Sequence, residues 1–180
     1  MNFFKMRKIK ELKVILWSFG EEGKTNLLYR GLKGIKDFQT LHTVGINVET
    51  INFNGVNITF WDIGGACKIK DLRKSYFPYA DAIIFLIDSS ESVIPTDNNS
   101  NFKYNFEEFK KCIEIIEDKP FLIAITKIDK RKVSTLDIIE AYQLCDLFKT
   151  KNKFGIIECS SFTLKGIKEI EFWLTNIIQK

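Results

Sequence analysis

The sequence lacks the long apolar runs and the paired cysteines that mark membrane-spanning and disulfide-stabilised proteins. Its longest wholly apolar runs, such as AIIFLI at 82–87, are far shorter than the roughly 20 residues of a membrane-spanning helix. Its four cysteines are scattered without CxxC spacing, so we expect neither a zinc site nor a disulfide framework. No signal-peptide pattern is found either, and the expected setting is therefore the cytoplasm, with reduced thiols.

Most of the chain also lacks an excess of either positive or negative charge. The net charge is +4 over 180 residues. Residues 1–13 hold five basic residues against one acidic residue, which accounts for the whole of this charge. The remaining body is close to neutral, whereas a nucleic-acid-binding protein is expected to present a basic face. We therefore expect one domain with a sizeable core and no nucleic-acid partner.

Short apolar runs alternate with segments of helical period along the chain. The strand candidates are 13–19, 46–52, 56–62, 81–88, 120–126 and 154–159, and the helix candidates are 24–32, 102–117, 135–149 and 164–178. Such alternation predicts a mostly parallel sheet covered by helices on both faces. The dipeptide Asn54-Gly55 is the one hairpin signal, and it makes the second and third strands an antiparallel pair at the sheet edge. The Asn- and Ser-rich segment 89–101 is expected to be a surface insertion without an assigned function.

The strongest chemical signal is the segment VILWSFGEEGKTNLL, which begins at Val14. An apolar strand ends in a glycine-bounded loop and a helix opens at Lys24 and Thr25, so backbone N–H groups and the helix dipole can converge on a polyphosphate. Lys24 would reach the β/γ oxygens, and the hydroxyl of Thr25 would bind Mg²⁺. The pattern GxxxxGK[ST] matches from Gly23 onward but has Ser18 in place of its first glycine. A strand-to-helix turn with a chance Gly-Lys-Thr is the alternative.

A second motif follows the hairpin, in the segment ITFWDIGG at 58–65. An acidic residue at the end of such a strand, across the sheet from the phosphate loop, is where a nucleotide-binding protein holds Mg²⁺ through water, and Asp62 fits that role. Gly64 and Gly65 allow the backbone to approach a γ-phosphate, so this segment can respond to the presence of that phosphate.

A third motif closes the segment FLIAITKID at 121–129, where an apolar strand ends in Lys127 and Asp129. A carboxylate there can accept hydrogen bonds from N1 and N2 of guanine, a donor pattern that adenine does not offer. Lys-x-Asp alone is common on solvated loops. Its position at the end of a strand, about one hundred residues after a phosphate loop, favours the interpretation as a base-reading site.

Together these motifs resemble the ADP-ribosylation-factor-like (Arf-like) small GTPases of the Ras superfamily over nearly the whole chain. The segment HTVGINVET at 42–50 is similar to the family's switch I, and WDIGG at 61–65 is similar to the start of its switch II. KIKDLRKSYF at 68–77 resembles the helix that follows, and ECSSFTLKGI at 158–167 resembles the last guanine-binding loop. The Trp-Asp-x-Gly-Gly and Gly-x-Asn-Val-Glu-Thr runs separate Arf-like proteins from the Ras, Rho and Rab types.

The resemblance implies a Ras-like P-loop GTPase fold, which is an α/β fold with a six-stranded, mostly parallel sheet, one antiparallel edge strand and helices on both faces. It divides the chain into an N-terminal basic segment, 1–12, and a GTPase domain, 13–180. The implied ligands are GTP or GDP with Mg²⁺, and the metal would be held by Thr25, Thr43 and Asp62. The implied nucleotide-binding residues are Gly20, Glu21, Glu22, Gly23, Lys24, Thr25, Asn26, Thr43, Gly65, Thr126, Lys127, Asp129, Ser160 and Ser161. Within this set, the backbone N–H of Ser160 would meet the base oxygen.

Four departures from the family pattern change these expectations. Ala66 stands where the family has the glutamine that orients the attacking water, and a methyl group cannot hold that water, so slow GTP hydrolysis is expected. Thr40 stands where related G-protein α subunits carry an arginine finger, so none is evident here. Thr126 replaces the usual asparagine, which predicts a looser guanine site. His42 replaces the usual proline, which gives switch I more freedom, and we interpret it as a loop residue.

Two surfaces are expected to meet partners. The family's effector contacts correspond to Ile46, Trp61 and Tyr76, with mutual packing of these side chains as the alternative. Trp17 and Trp173 are instead expected in the core. Residues 1–12 have Asn2 where relatives carry the myristoylated glycine, so no acylation is expected at that site.

The same N-terminal segment has apolar residues at helical spacing among basic ones, beginning with Phe3 and Met6. This pattern predicts weak, reversible contact with an anionic membrane surface. A helix packed on the body of the protein or a frayed tail is the alternative.

The expected function is therefore a monomeric GTP/GDP switch whose γ-phosphate orders switches I and II and recruits effectors. The family resemblance adds an exchange factor, an activating protein, and a setting on the cytosolic face of the Golgi or another internal membrane, in vesicle traffic. Two other classes stay open. One is a GTP-bound interaction module without turnover. The other is a P-loop phosphotransferase such as a nucleoside kinase, which the TKID motif and the lack of an Arg-rich lid disfavour.

Overall fold

The structure is a computed structural model that describes residues 10–39, 43, 45–64, 75–91, 100–150 and 153–177. The strands are β1 (Lys10–Trp17), β2 (Ile46–Phe53), β3 (Val56–Ile63), β4 (Ala82–Asp88), β5 (Phe121–Thr126) and β6 (Phe154–Glu158). The helices are α1 (Lys24–Asn26, continued by the π-helical segment Leu27–Leu32), α2 (Ser100–Ile116), α3 (Thr135–Ala141), α4 (Cys145–Thr150) and α5 (Ile167–Asn176). Short 3₁₀ turns lie at Phe77–Tyr79 and Ile128–Lys130.

The six strands form one sheet in the order β2-β3-β1-β4-β5-β6. Every neighbouring pair is parallel except β2 and β3, which are antiparallel. The central strands β4 and β5 are buried at every position and are apolar up to their last residues, Asp88 and Thr126, as expected of strands covered on both faces. The hairpin between β2 and β3 turns at Asn54 and Gly55, whose φ angles of 52° and 85° fit the turn predicted for Asn-Gly. The predicted sheet, with its antiparallel edge strand, is confirmed.

The sheet buries an apolar layer on each face. One layer is rich in aromatic residues and packs α2 and α3 against the sheet around Trp17, Phe85 and Phe109. The other layer packs α1 and α5 against the opposite face through leucines and isoleucines such as Leu28 and Ile170. Helices therefore cover both faces, as predicted. No helix in the described part of the chain is long and apolar enough to cross a bilayer.

The two tryptophans expected in the core differ in burial. Trp17 is fully buried, with its ring centroid 4.4 Å from that of Phe85. Trp173 is half-buried and packs at the border of the second layer, against Gly155 of β6.

Several element boundaries differ from the sequence-based expectation. β1 begins at Lys10 rather than residue 13, because it pairs with β3 from its first residue, so residues 10–12 belong to the sheet and Leu12 is buried. Residues 1–9, which hold most of the predicted N-terminal segment, lie outside the described residues. The single helix expected at 135–149 is two helices, separated by a turn that contains Gln143 at φ 53°. Gly166 at φ 77° sets the start of α5 at Ile167.

Trp17 offers a test of the aromatic layer. We expect Trp17→Ala to lower the free energy of unfolding by about 3–5 kcal/mol, because a large cavity is left between packed rings. Urea denaturation measures this change. Phe172→Ala is the matched control, since Phe172 is 69% exposed on α5, and its effect should stay within about 0.5 kcal/mol. Equal losses in the two variants would contradict this description of the core.

Candidate functional site

The predicted site residues lie at one edge of the sheet. β1, β3, β4, β5 and β6 run parallel, so their carboxyl ends meet there, and all of them except β4 end in or are followed by residues that the sequence analysis selected. The loop after β1 supplies the phosphate-binding candidates, and β3 supplies Asp62. The ends of β5 and β6 supply Thr126, Lys127, Ser160 and Ser161.

Ser18, which replaces the first glycine of the phosphate-loop pattern, holds the loop lysine. The Lys24 ammonium donates hydrogen bonds to the Ser18 hydroxyl and, at 2.9 Å, to the Gly20 carbonyl. The Ser18 hydroxyl in turn donates to the Gly20 carbonyl at 3.1 Å. Both side chains are buried. The lysine is therefore fixed inside the loop, and Gly23 allows the turn into α1 with a φ of 95°.

The Glu22 carboxylate is hydrogen-bonded to a backbone N–H of the phosphate loop that could otherwise bind a phosphate oxygen. It accepts this hydrogen bond from the Gly20 N–H at 2.7 Å. Glu21 is exposed beside it. A phosphate oxygen that uses the Gly20 N–H would have to displace the Glu22 carboxylate, because the two anions compete for the same donor.

The three predicted metal-binding residues lie together. The Thr25 hydroxyl is 2.6 Å from Asp62 Oδ2 and 3.0 Å from the Thr43 hydroxyl, and Thr43 donates to the same Asp62 oxygen at 3.5 Å. Asp62 is fully buried, and its second oxygen, Oδ1, has no hydrogen-bond partner among the described residues. Burial raises the pKa of the Asp62 carboxyl above its ordinary value, against the hydrogen bond from Thr25 and the charge of Lys24.

This cluster fits a magnesium ion. Hard oxygen ligands are what Mg²⁺ prefers, and a buried carboxylate oxygen without a partner is a group that a cation would satisfy. The backbone is arranged to keep the cluster tight, because the Gly64 N–H donates to the Gly45 carbonyl at 2.9 Å. A Cβ at Gly64 would come within 2.3 Å of the Thr43 carbonyl oxygen, so only glycine fits there. Gly65 and Ala66 lie outside the described residues.

A cavity of about 200 Å³ opens beside the phosphate loop. Its lining includes predicted nucleotide-binding residues, namely Glu22, Gly23, Asn26, Thr126, Lys127, Asp129 and Ser161. Ser90, Lys130 and Phe162 also line it and were not predicted. Each of the three is close in sequence to a strand end or to a predicted site residue. This closeness is the one feature of the sequence from which they could have been predicted.

Thr126 ties the base side of the cavity to the phosphate loop. Its hydroxyl donates to the Glu22 carbonyl at 2.7 Å and, more weakly, to the Ile87 carbonyl at 3.3 Å. The hydroxyl thus supplies a donor to the phosphate loop. The looser guanine site that the sequence predicted at Thr126 stays a prediction.

Lys127 is held above the phosphate loop by Asp88. Its ammonium lies 2.5 Å from Asp88 Oδ2, and Asp88 Oδ1 accepts from both the N–H and the hydroxyl of Ser90 at 2.7 Å. Lys127 has a φ of 54°, and its Cε lies 4.0 Å from the position that a Cβ on Gly23 would take. The lysine chain therefore forms a wall of the cavity.

Ser160 orients Asp129 through its side chain. Its hydroxyl donates to Asp129 Oδ1 at 2.6 Å, and its N–H donates to the Lys165 carbonyl at 3.0 Å. The contact of this N–H with the base oxygen stays a prediction. Ser161, the next residue, lines the cavity.

The predicted effector residues lie partly against one another. The rings of Trp61 and Tyr76 meet edge to face at 5.5 Å, and both residues are half-buried, as is Ile46. The alternative of mutual packing thus holds for the two aromatic residues. Thr40 and His42 lie outside the described residues.

The Thr126 hydroxyl gives a first test of the site. We expect Thr126→Val to lower the free energy of unfolding by about 1 kcal/mol, because it removes the donor to the Glu22 carbonyl without changing the side-chain shape. Thr126→Ser keeps the donor and should lose less. Thermal unfolding of the three proteins measures the order, and a valine variant as stable as the native protein would contradict the proposed connection.

The unpaired Asp62 oxygen gives a second test. In the absence of nucleotide and metal, Asp62→Asn should raise the free energy of unfolding at pH 7 by about 1–3 kcal/mol, because a buried charge is removed. The gain should shrink as the pH falls, since the raised pKa lets the native carboxyl take up a proton and lose its charge. Urea unfolding in EDTA at two pH values measures both effects. A variant that is less stable at pH 7 would show that Asp62 is satisfied without a cation.

Comparison with known proteins gives a consistent identification. Curated relatives include ADP-ribosylation factor 3 of Arabidopsis thaliana, which is 30% identical over 171 residues, covering 94% of this chain and 90% of that protein. ADP-ribosylation factor J of Dictyostelium discoideum is 29% identical over 174 residues, covering 93% of this chain and 85% of that protein.

A solved structure and a family pattern agree with these relatives. The structure of the Arl6 BBS3 small GTPase from Trypanosoma brucei, with the bound nucleotide analogue GppNp, superposes with a TM-score of 0.75 at 26% identity, covering 94% of this chain and 98% of that one. This likeness confirms the predicted Ras-like fold. The sequence pattern that defines the ADP-ribosylation factor family matches residues 1–178. The chain therefore belongs to the ADP-ribosylation factor family and is an Arf-like small GTPase.

Proposed function

We propose that this protein is a GTP/GDP switch that binds guanine nucleotide with Mg²⁺ and turns GTP over slowly. The observation that carries the proposal is the cluster of Thr25, Thr43 and Asp62 at the mouth of a phosphate loop, joined to a base-sized cavity that contains Asp129. The bound GppNp of the Trypanosoma brucei relative supports GTP as the ligand.

The phosphates of the nucleotide lie against the loop after β1. Lys24 supplies the positive charge for the β- and γ-phosphates, and the N–H groups before α1 supply hydrogen-bond donors. Thr25, Thr43 and Asp62 would hold Mg²⁺, which when bound offsets the negative charge of the triphosphate. Binding satisfies the Asp62 oxygen that has no partner among the described residues.

The base occupies the cavity between Lys127 and the loop after β6. Asp129 is oriented by the Ser160 hydroxyl at its Oδ1, so its carboxylate accepts hydrogen bonds from N1 and N2 of guanine. The family resemblance assigns the contact with the base oxygen to the N–H of Ser160, which would exchange its bond to the Lys165 carbonyl for the base, and Ser161 lines the cavity beside it. Adenine has neither donor for the carboxylate nor an oxygen at this place, so it is rejected.

The switch lies in the segments that contact the γ-phosphate. Thr43 belongs to the metal cluster and to the switch I segment at once, so the triphosphate holds switch I more strongly than the diphosphate does. The hydrogen bond between Gly64 and Gly45 couples this change to the start of switch II. Effectors then bind the surface around Ile46, Trp61 and Tyr76 in the triphosphate state.

Slow hydrolysis follows from Ala66, which cannot orient water as the family's glutamine does. An activating protein supplies the missing group in trans, and an exchange factor releases the diphosphate. The family supports a setting on the cytosolic face of an internal membrane, in vesicle traffic, with weak membrane contact through the N-terminal basic segment. A GTP-bound interaction module without turnover is the second candidate, which Ala66 also favours.

Base recognition is tested at Asp129. We expect Asp129→Ala to lower GTP and GDP affinity by about 2–5 kcal/mol, because the two guanine donors lose their partner in a desolvated site. Isothermal titration with GTP and with ATP measures the loss and the selectivity. Asp146→Ala is the control, since Asp146 is an exposed aspartate on α4 and lies outside the cavity. Unchanged GTP affinity in Asp129→Ala would contradict the assignment.

Hydrolysis is tested at Ala66. Restoring the amide with Ala66→Gln should raise single-turnover GTP hydrolysis measurably, because the glutamine can position the attacking water. The native protein should turn over several orders of magnitude more slowly than the usual enzyme range of about 1 to 1000 per second. Phosphate release from the preloaded protein measures both rates. Fast unassisted hydrolysis by the native protein would show that another residue orients the water, and a native rate of zero that Ala66→Gln leaves at zero would favour the interaction module.

A further inference from the structure

An aromatic side chain is exposed at the rim of the base cavity. Phe162 lines the cavity next to Ser161, and 58% of its surface is accessible. Single exposed phenylalanines are ordinary, as Phe172 shows at 69%, so the informative feature of Phe162 is its place in a cavity whose polar residues can read a base. Lys127 and Asp129 line the same cavity.

The ring of Phe162 is fixed by cations and by its own backbone. The guanidinium carbon of Arg30 lies 4.4 Å from the ring centroid, and the Arg30 Nε–H donates to the Phe38 carbonyl at 3.1 Å. A cation over an aromatic face is attracted by the ring quadrupole. The ammonium of Lys130 lies farther from the ring centroid, at 5.6 Å, and Lys130 is exposed, so a ligand can replace it.

The position of the ring is also coupled to the base-reading carboxylate. The Phe162 N–H donates to the Ser160 hydroxyl at 3.2 Å, and that hydroxyl donates to Asp129 at 2.6 Å. One serine therefore sets the place of both the exposed ring and the carboxylate. Two groups that are oriented by one hydroxyl at the rim of one cavity are arranged to contact one ligand.

We propose that Phe162 is the aromatic wall of the base subsite, where it stacks on the nucleotide base and slows nucleotide release, with Arg30 as its positioning residue. This inference rests on the proposed binding of guanine nucleotide at this cavity. Every base has a π-face, so the ring adds affinity without selecting among bases, whereas Asp129 selects guanine. Phe162 thus lengthens the residence time of the nucleotide, and Asp129 provides the selectivity for guanine.

Leucine substitutions separate stacking from packing. Phe162→Leu keeps an apolar side chain of similar size but has no π-face, and Phe162→Trp keeps one. Phe172→Leu is the matched control, because Phe172 is an exposed phenylalanine on α5, 69% accessible and outside the cavity. The readout is the dissociation rate of a fluorescent GDP derivative in the presence of Mg²⁺, chased with unlabelled GDP.

The proposal predicts a pattern across these variants. Phe162→Leu should release GDP about tenfold faster or more, Phe162→Trp should stay within about twofold of the native rate, and Phe172→Leu should not change it. The same factor should appear for IDP, whose base lacks the guanine amino group. Arg30→Ala should speed release by a smaller factor and should add little to Phe162→Leu, because the arginine acts through the ring. Affinity for inorganic triphosphate with Mg²⁺ should be unchanged.

Other outcomes overturn the proposal in distinguishable ways. If the native protein prefers GTP to ATP but Phe162→Leu releases GDP at the native rate, the aromatic wall is refuted and the proposed function stands. A variant that loses affinity for inorganic triphosphate as strongly as for GDP would show a general structural defect in place of a base contact. If the native protein binds GTP and ATP equally and Asp129→Ala changes nothing, the proposed function fails, and this inference fails with it.

Discussion

The site depends on one buried carboxylate. Asp62 is fully buried on β3, opposite Leu16 of β1, and its Oδ1 has no hydrogen-bond partner in the described part of the chain. A buried charge without full pairing destabilises a fold, so a chain keeps one where a ligand will satisfy it. Thr25 and Thr43 come to this carboxylate from elements far apart in sequence. The arrangement of β1, β3 and the phosphate loop therefore fixes the position of Asp62 Oδ1, the oxygen that can bind a cation.

The phosphate side and the base side are joined by few direct bonds. Thr126 reaches from the end of β5 to the carbonyl of Glu22 in the phosphate loop, and Lys127 extends over the same loop from its ion pair with Asp88. Because β4, β5 and β6 are parallel neighbours, the residues that follow them lie at the same edge of the sheet. A nucleotide can then span the two sides as one ligand.

Two departures from the expected motifs, Ser18 and Thr126, have local compensation, and Glu22 adds a further hydrogen bond inside the phosphate loop. The Ser18 hydroxyl takes a place expected for glycine and accepts a hydrogen bond from the loop lysine. The Thr126 hydroxyl replaces an amide as the donor to the loop. Glu22 places a carboxylate on the Gly20 N–H, where a phosphate would otherwise bind, so the loop without nucleotide already satisfies that donor. Residues that seem, from the sequence, to weaken the phosphate loop thus take part in its hydrogen bonds.

Sequence reasoning recovered what depends on local pattern and on strand ends. The apolar runs of β4 and β5 and the Asn54-Gly55 turn are read from period and turn chemistry. Thr25 and Asp62 follow from the phosphate-loop pattern and from the end of β3, whereas Thr43 was expected from the family resemblance alone. The early start of β1 at Lys10 was missed because pairing with β3 decides it. The hydrogen bond from the Ser160 hydroxyl to Asp129 was missed because it joins loops that are far apart in sequence. The contact between Arg30 and Phe162 joins residues that are far apart in sequence, so no local sequence pattern predicts it.

The central claim is that one edge of the sheet binds a guanine nucleotide together with a divalent cation. The most direct measurement is an equilibrium titration of the nucleotide-free native protein with GTP and with ATP, each in Mg²⁺ and in EDTA. The account predicts much tighter binding of GTP than of ATP, and a marked loss of GTP affinity in EDTA, because the Asp62 cluster then lacks its cation. Equal affinity for the two nucleotides, or GTP binding that does not depend on Mg²⁺, would contradict it.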